Sequence, residues 1–320
     1  MLIKKYKNVL ICNFSILYYN ITCLSLIILD MKKLFRLNNN ICDQIFNEAQ
    51  IHFTKNCSNR CPFCIDAFNN GVGNKKPDID KIFLSVLNIK DKIDDISISG
   101  GEPMLYIDEL LQLVRNIKRF SKLNVTVITS MPITCWTHKE TFFEIIKIID
   151  HLIISPQHYD QEIGDKIRGC NSFYNREKLF SEIPYKNKVS LTINIIKGYF
   201  NDKQDIIDNI KFFEKLGYSN FKLAEIFEHD ELYVSMEKLL GFKLPSPFSY
   251  GCSTKHFDLS PYLGYNSNSD FTIKRCCFYK THKQHASIND LLKILIRPFF
   301  AKKYFFCIIY EDGKIVRRWF

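Results

Sequence analysis

Three cysteines in the stretch TKNCSNRCPFCID, residues 54–66, lie close enough in sequence to share one metal centre. Cys57, Cys61 and Cys64 have the spacing C-x3-C-x2-C. Iron–sulfur clusters are held by cysteine thiolates, and a four-iron cluster has four irons to coordinate. Three ligands on one loop leave one metal position open, and a substrate can bind there as it does in catalytic zinc sites. The loop therefore indicates an open metal site.

Alternating segments from residue 50 to about residue 228 must position this loop. Apolar runs predict strands at 50–54, 95–99, 124–130, 151–157, 189–198 and 221–227. Amphipathic segments predict helices at 78–89, 107–120, 139–149, 172–183 and 202–217. Strands that alternate with helices predict right-handed crossovers and a parallel α/β sheet. Sites in such folds gather at the carboxyl ends of strands, where the cysteine loop falls. Periodicity leaves open whether the sheet closes into a barrel.

Composition is that of a globular protein with one large domain or two smaller ones. The chain has 320 residues, of which 46% are hydrophobic and 24% charged. Its 12 cysteines do not form the even framework of a small secreted protein. We therefore expect reduced thiols and a cytoplasmic protein.

The first 47 residues form a separate N-terminal extension. A mostly apolar run from Val9 to Leu29 has about the length of a membrane span, although polar residues interrupt it. Three interpretations remain: an over-extended reading frame or loosely docked extension, a membrane anchor, and an ordinary structural element. Membrane association is therefore an alternative to a purely cytoplasmic protein.

Residues 229–320 form a C-terminal extension that we expect to be rich in loops. A helix is predicted at 287–296, and a hairpin at 305–320 around Asp312 and Gly313. Residues 271–320 hold eleven Lys and Arg against three acids, a net charge of +8. This basic tail indicates either a solvated surface or an anionic partner such as RNA or a membrane. Four cysteines are either buried thiols or ligands of an auxiliary cluster: Cys252, Cys276, Cys277 and Cys307.

Two motifs in residues 48–228 together resemble the radical S-adenosylmethionine (radical SAM) superfamily. CSNRCPFC, with Phe63 before the third cysteine, resembles its cluster loop, and SISGGEPML at 97–105 resembles its glycine-rich SAM motif. The resemblance implies a (β/α)6 partial TIM barrel with a [4Fe–4S] cluster on Cys57, Cys61 and Cys64. It further implies reductive cleavage of SAM to methionine and a 5′-deoxyadenosyl radical that abstracts hydrogen from a substrate. An electron donor such as flavodoxin or ferredoxin would serve the cluster.

The resemblance also implies the residues that contact SAM. Four belong to the glycine-rich motif: Gly100, Gly101, Glu102 and Pro103. The glycines would let the backbone approach the amino acid end of SAM without a Cβ in the way, and the other two would fix the turn. Ser155 and Asn194 match ribose-binding positions, and Arg168 matches a residue that binds the SAM carboxylate. The alternatives are a strand-end hydroxyl for Ser155, an internal hydrogen bond for Asn194 and a surface position for Arg168.

The substrate is not readable from the sequence, and a peptide and an RNA or nucleotide both remain open. Four residues of the fourth and sixth strands are candidates to face it: Gln157, His158, Lys222 and Glu225. A buried Glu225 would need a partner. The alternative class is a non-catalytic iron–sulfur or zinc-binding interaction protein. Such a protein would have lost its SAM contacts, and the intact Gly-Gly-Glu-Pro segment argues against it.

Overall fold

One mixed sheet of ten strands organises the described part of the chain. The structure is a computed structural model that describes residues 48–64, 76–226, 230–241, 252–256, 264–265, 267, 269–276 and 306–317. These residues all belong to one unit, Phe46–Phe320.

The strands and helices have the following bounds. The strands are β1 Glu48–Thr54, β2 Asp95–Gly100, β3 Asn124–Thr129, β4 His151–Ile154, β5 Val189–Ile195, β6 Asn220–Glu225, β7 Cys252–His256, β8 Asp270–Cys276, β9 Phe306–Tyr310 and β10 Ile315–Arg317. The helices are α1 Ile79–Ile89, α2 Ile107–Phe120, α3 Ile133–Thr137, α4 Lys139–Ile148, α5 Gln161–Arg168, α6 Arg176–Glu182, α7 Lys203–Lys215 and α8 Met236–Leu240. Short 3₁₀ helices include Pro103–Tyr106.

The six predicted strands lie side by side in chain order and pair in parallel. Every crossover between them therefore runs in the same direction, and right-handed crossovers place their helices on one face of the sheet. The opposite face is then concave, which is the geometry of a partial TIM barrel. The predicted fold class is confirmed.

Alternation along the strands separates a packed face from a polar one. In β5, Leu191 and Ile193 are fully buried and belong to the same core cluster as residues of the helices, while Asn194 is half-buried. On the polar face of β1 and β2, Gln50 Nε2 donates to Ser99 Oγ at 2.6 Å. The concave face is therefore lined by polar groups.

The C-terminal extension widens the sheet at both edges, because its described residues include four strands. Strand β8 pairs in parallel with β6, and β9 pairs in parallel with β1. Strands β7 and β10 complete the edges in antiparallel pairing with β8 and β9. The predicted hairpin around Gly313 is confirmed as β9–β10. Strands β7 and β8 were missed, because the intervening Gly-, Asn- and Ser-rich sequence gave only turn signals.

Element boundaries differ from the prediction mainly around the fourth crossover. Strand β4 ends at Ile154, and the predicted continuation to residue 157 is irregular. Helix α5 was not predicted, although Asp160 caps its first turn and Gly169 ends it in a left-handed conformation. Gly164 inside the helix is a weak helix former. Its Cα packs so closely that an added Cβ would lie 3.2 Å from the Pro156 carbonyl.

Several predictions fall on residues outside the described ranges. They include the N-terminal extension 1–47, Cys277, the helix at 287–296 and much of the basic tail. Among the described helices, none combines the length and the apolar character required to cross a bilayer.

Candidate functional site

The cysteine loop after β1 is tied to the carboxyl ends of neighbouring strands. Its first residues accept hydrogen bonds from the glycine-rich turn after β2: Gly101 N–H donates to Thr54 O and Glu102 N–H donates to Asn56 O, both at 2.7 Å. Further along the loop, Asn59 Nδ2 donates to Ser130 Oγ, just after β3, at 2.7 Å. The two motifs singled out in the sequence therefore form one local structure at the same end of the sheet.

The end of helix α5 holds the middle of the loop. Arg60 N–H donates to the Arg168 carbonyl at 2.7 Å, and Cys61 Sγ lies 3.8 Å from the same oxygen. Gly169, in the left-handed conformation, permits this approach, because an added Cβ would lie 2.9 Å from the Arg60 carbonyl. Helix α5, which the sequence did not predict, is thus part of the frame of the site.

Gly100 and Gly101 lack side chains because the loop occupies the space. A Cβ on Gly100, whose φ is +120°, would lie 2.6 Å from the Thr54 carbonyl. A Cβ on Gly101 would clash with the Asn56 carbonyl. The sequence suggested that these glycines admit a ligand, whereas the close neighbour in the structure is the cysteine loop itself.

Glu102 is a buried carboxylate that joins the ends of β2 and β3. It is 1% exposed. Oε1 accepts from Met104 N–H at 3.1 Å and from Thr129 Oγ1 at 2.7 Å, and Oε2 accepts from the amide and hydroxyl of Ser130 at 2.7 and 2.6 Å. Pro103 is buried at the start of the following 3₁₀ helix. These contacts of Glu102 hold the turn against the end of β3, and the roles of Glu102 and Pro103 toward SAM stay predictions.

Ser130 is a site residue that the sequence analysis missed. Its hydroxyl links Glu102 to Asn59 of the cysteine loop, and its carbonyl accepts from Arg168 Nη1 at 3.4 Å. The next residue, Met131, has a φ of +60°, a strained value for a residue with a side chain. The only signal in the sequence was a polar residue directly after a buried strand.

The three loop cysteines are half-buried thiols, and none of them forms a disulfide bond. Burial raises the pKa of Cys57 to about 11, and Glu102 and Cys64 add to the shift. Burial, with the neighbouring Cys57 and Cys64, raises the pKa of Cys61 to about 12. Thiols so close together resist ionisation unless a cation compensates their charge, and a metal-coordinated thiol is deprotonated outright. The donor set therefore suits a metal centre.

Arg168 is 2% exposed and its guanidinium is already engaged within the protein. Nη2 pairs with Asp165 and donates to Ser172 Oγ, while Nε donates to the Gly164 carbonyl at 3.2 Å. The alternative of a surface position is wrong. A contact with the SAM carboxylate would have to use the remaining Nη1 hydrogen or replace one of these partners.

The other predicted SAM contacts lie near the ends of β4 and β5. Ser155 follows β4 directly, is half-buried, and donates its amide to the Thr129 carbonyl at 2.9 Å. Asn194 Nδ2 donates to Gln157 Oε1 at 3.0 Å. Gln157 is buried and has a φ of +69°. These three residues occupy the same end of the sheet as the cysteine loop, and their roles toward a ligand stay predictions.

Like Gln157, the candidate substrate residues Glu225 and His158 have structural partners. Glu225 is 5% exposed, and its Oε1 accepts from Met236 N–H at the start of α8 at 2.8 Å. His158 is buried, stacks on Tyr159 and accepts from Asp160 N–H at Nδ1 at 3.0 Å. Burial lowers the pKa of His158, which favours the neutral imidazole. Lys222 is half-buried on the polar face of β6.

Of the four C-terminal cysteines, Cys307 is fully buried in the core, as expected of a packing residue. Cys252 and Cys276 occupy paired positions of β7 and β8. Within the described ranges, no three His, Cys, Asp or Glu side chains converge on a single metal ion. The auxiliary cluster therefore stays an untested alternative.

Comparison with known proteins assigns the family. The profile of the Radical SAM superfamily matches residues 51–221, just over half of the chain. The chain belongs to the radical SAM superfamily. Membership implies that SAM and an iron–sulfur cluster are the cofactors. The thiols of the loop fit such a cluster, since each thiolate of a multi-iron cluster binds its own iron and need not converge on one ion.

The individual relatives share only a modest sequence identity with this chain. The chain is 25% identical over 201 residues to the pyruvate formate-lyase-activating enzyme of Staphylococcus aureus (strain USA300), covering 60% of this chain and 78% of that protein. The structure of Streptococcus suis SuiB bound to S-adenosylmethionine aligns with a TM-score of 0.55 at 20% identity, over 85% of this chain. SuiB bound to its precursor peptide SuiA aligns with a TM-score of 0.56 at 18% identity. The alignment with SAM-bound SuiB spans 60% of the SuiB chain, and likeness at this identity shows the fold.

Proposed function

We propose that this chain is a radical SAM enzyme whose Cys57, Cys61 and Cys64 hold a [4Fe–4S] cluster and whose substrate is a peptide or protein. When bound, the cluster and SAM supply reductive cleavage to methionine and a 5′-deoxyadenosyl radical that abstracts hydrogen from the substrate. The observation that carries the proposal is the pair of hydrogen bonds between the cysteine loop and the Gly-Gly-Glu-Pro turn, because it joins the two cofactor motifs at one end of the barrel.

The residues around the loop position the two cofactors. The backbone of Gly100 and Gly101 would receive the amino acid end of SAM on the side away from the loop. Ser155 and Asn194 would donate to or accept from the ribose. The polar concave face would receive the substrate, and the packed helices on the other face exclude water from the sheet. The cofactor carries the difficult chemistry, and the protein orients the reactants.

A peptide or protein substrate is supported by the relatives. One is named for activating pyruvate formate-lyase, and the SuiB structure contains a precursor peptide. The argument for RNA rested on the basic tail, most of which lies outside the described residues. A non-catalytic interaction protein would not need the glycine-rich turn for its function. In this chain the turn is closely packed and hydrogen bonded against the cysteine loop.

Anaerobic cluster reconstitution followed by an assay for 5′-deoxyadenosine tests the proposal. We expect wild-type protein with dithionite and SAM to bind about four irons per chain and to form 5′-deoxyadenosine. Cys61→Ala should lose both. Cys135→Ala is the matched control, because Cys135 is a buried thiol outside the loop and should retain both. Equal 5′-deoxyadenosine from wild type and Cys61→Ala would refute the proposal.

A further inference from the structure

A cavity of about 770 Å³ opens on the outside of the barrel, away from the cysteine loop. It lies between helices α5, α6 and α7 and the segment that follows β4, and we call it the outer groove. Its inner wall includes Phe180 and Phe213, which are 2% and 1% exposed. Its lining includes Phe173 and Tyr159, which are 85% and 39% exposed. A groove that combines polar groups with exposed aromatic rings is typical of a surface that binds a partner.

The charged side chains of the outer groove are mostly acidic. Asp160, Glu162 and Glu177 line it, and all three are exposed. None of them forms an ion pair with the described part of the chain, and no lysine is among the lining residues. Exposed carboxylates around a groove favour a partner with positive charges.

Arg176 adds a second, independent sign that the groove receives a ligand. It lines the groove, is 3% exposed, and its Nε has no hydrogen-bond partner in the described chain. Of its other nitrogens, Nη1 donates to Pro156 O at 3.3 Å and Nη2 to Ser130 O at 3.5 Å, and the guanidinium also interacts with the Tyr174 hydroxyl. A buried donor without an acceptor is costly. A peptide carbonyl entering the groove would supply that acceptor.

We propose that the outer groove docks a segment of a peptide partner in which Lys or Arg residues alternate with aromatic or aliphatic ones. The apolar side chains would pack mainly on the exposed rings of Phe173 and Tyr159, and the cations would lie against Glu162 and Glu177. A nucleic acid would be repelled by the carboxylates. The inference rests on the proposed peptide substrate and adds to it a docking surface separate from the barrel mouth.

The same contacts connect the groove to the catalytic end. Ser130, whose carbonyl Arg176 contacts, also hydrogen bonds through its hydroxyl to the cysteine loop. Helix α5 lines the groove at its first turn, and its last residue, Arg168, binds Arg60 of that loop. A partner docked in the groove would therefore lie against elements that frame the cluster site, which suits a segment that holds a substrate in place.

Fluorescence anisotropy with labelled synthetic peptides tests the proposal on the full chain without requiring SAM cleavage. The probe is a 12-residue peptide of repeating Lys-Phe-Lys-Leu, compared with repeating Glu-Phe-Glu-Leu. We expect only the cationic peptide to bind. The double variant Glu162→Lys, Glu177→Lys should weaken its binding by about tenfold or more, because each change replaces attraction by repulsion. Phe173→Ser should also weaken it, by about fivefold.

The matched control is the double variant Asp91→Lys, Glu140→Lys, which makes the same charge change on exposed residues outside the groove. Equal weakening by both double variants, or equal binding of both peptides, would overturn the docking site. Stronger competition by single-stranded RNA than by the peptide, or a dimer that only the groove variants dissociate, would overturn the peptide as occupant. If these outcomes occur while 5′-deoxyadenosine still forms, the docking inference alone is wrong.

Discussion

Replacing Gly101 by alanine should loosen the cysteine loop without straining the backbone of residue 101 itself. Its φ is outside the left-handed region, so alanine is conformationally acceptable there. The added Cβ, however, would clash with the Asn56 carbonyl and lie 2.9 Å from the Lys55 carbonyl carbon. Both neighbours are backbone, which cannot turn aside as a flexible side chain can.

The loss of stability can be estimated from the contacts that break when the glycine-rich turn moves away from the cysteine loop. Separating the turn from the loop stretches the two 2.7 Å hydrogen bonds from Gly101 N–H to Thr54 and from Glu102 N–H to Asn56. A hydrogen bond contributes roughly 0.5–1.5 kcal/mol, and overpacking costs about 1–3 kcal/mol. Because relaxation that breaks the bonds relieves the clash, we expect a total loss of about 2–4 kcal/mol in the free energy of unfolding.

Gly198→Ala is the control, because it strains the backbone of the substituted residue without creating a clash. Gly198 has a φ of +89° and nothing within 4 Å of an added Cβ, so alanine there costs only backbone strain of about 1–2 kcal/mol. Urea unfolding measures both variants, and iron content after anaerobic reconstitution reports on the loop. We expect Gly101→Ala to lose iron and Gly198→Ala to keep it. Full iron retention by Gly101→Ala with no larger loss of stability than Gly198→Ala would refute the reasoning.

Three further changes probe the surrounding network. Ser130→Ala removes the hydroxyl that links Glu102 to the cysteine loop, and urea unfolding should show a loss of about 1–3 kcal/mol; an unchanged midpoint would contradict this. Arg168→Ala leaves the largely buried Asp165 carboxylate without its cation and should lower the free energy of unfolding by about 3–5 kcal/mol. A smaller loss than in Ser130→Ala would show that the Arg168–Asp165 pair does not stabilise the fold. Since the folded-state pKa of His158 is lowered, its neutral form stabilises the fold above the unfolded pKa of about 6.5, and this stability is lost as the pH falls. His158→Gln should therefore lose less stability between pH 7 and 5 than wild type does, and parallel pH profiles would argue against that role.

The local motifs were predictable, and the contacts between strand ends were not. The cysteine spacing and the Gly-Gly-Glu-Pro turn are each contained in a few consecutive residues, so their chemistry could be predicted without knowing the fold. The role of Ser130 depends on β2 and β3 ending side by side, which is a property of the sheet register. The partner of Glu225 likewise comes from Met236, eleven residues later and beyond a turn. The sequence could predict only that a buried acid required a partner.

The C-terminal strands were hard to predict for a different reason. Strands β9 and β10 are joined by a recognisable turn at Gly313, so the hairpin could be predicted from local sequence alone. The pairing of β9 with β1 joins residues about 258 positions apart, such as Glu48 and Phe306, and no local pattern encodes that choice. The Gly- and Ser-rich sequence before β8 likewise gave turn signals without showing that the strand extends the sheet.

The pairing of β9 with β1 has a consequence for the order of events during synthesis. Strand β1 and the cysteine loop leave the ribosome early, but the outer neighbour of β1 is made of residues 306–310. Until then β1 is an unprotected edge strand, open to pairing with other chains. Such long-range pairing is slow to form. Strand β1 therefore gains its outer partner only after residues 306–310 have been synthesised, so a nascent chain that pauses before residue 306 would be prone to aggregate.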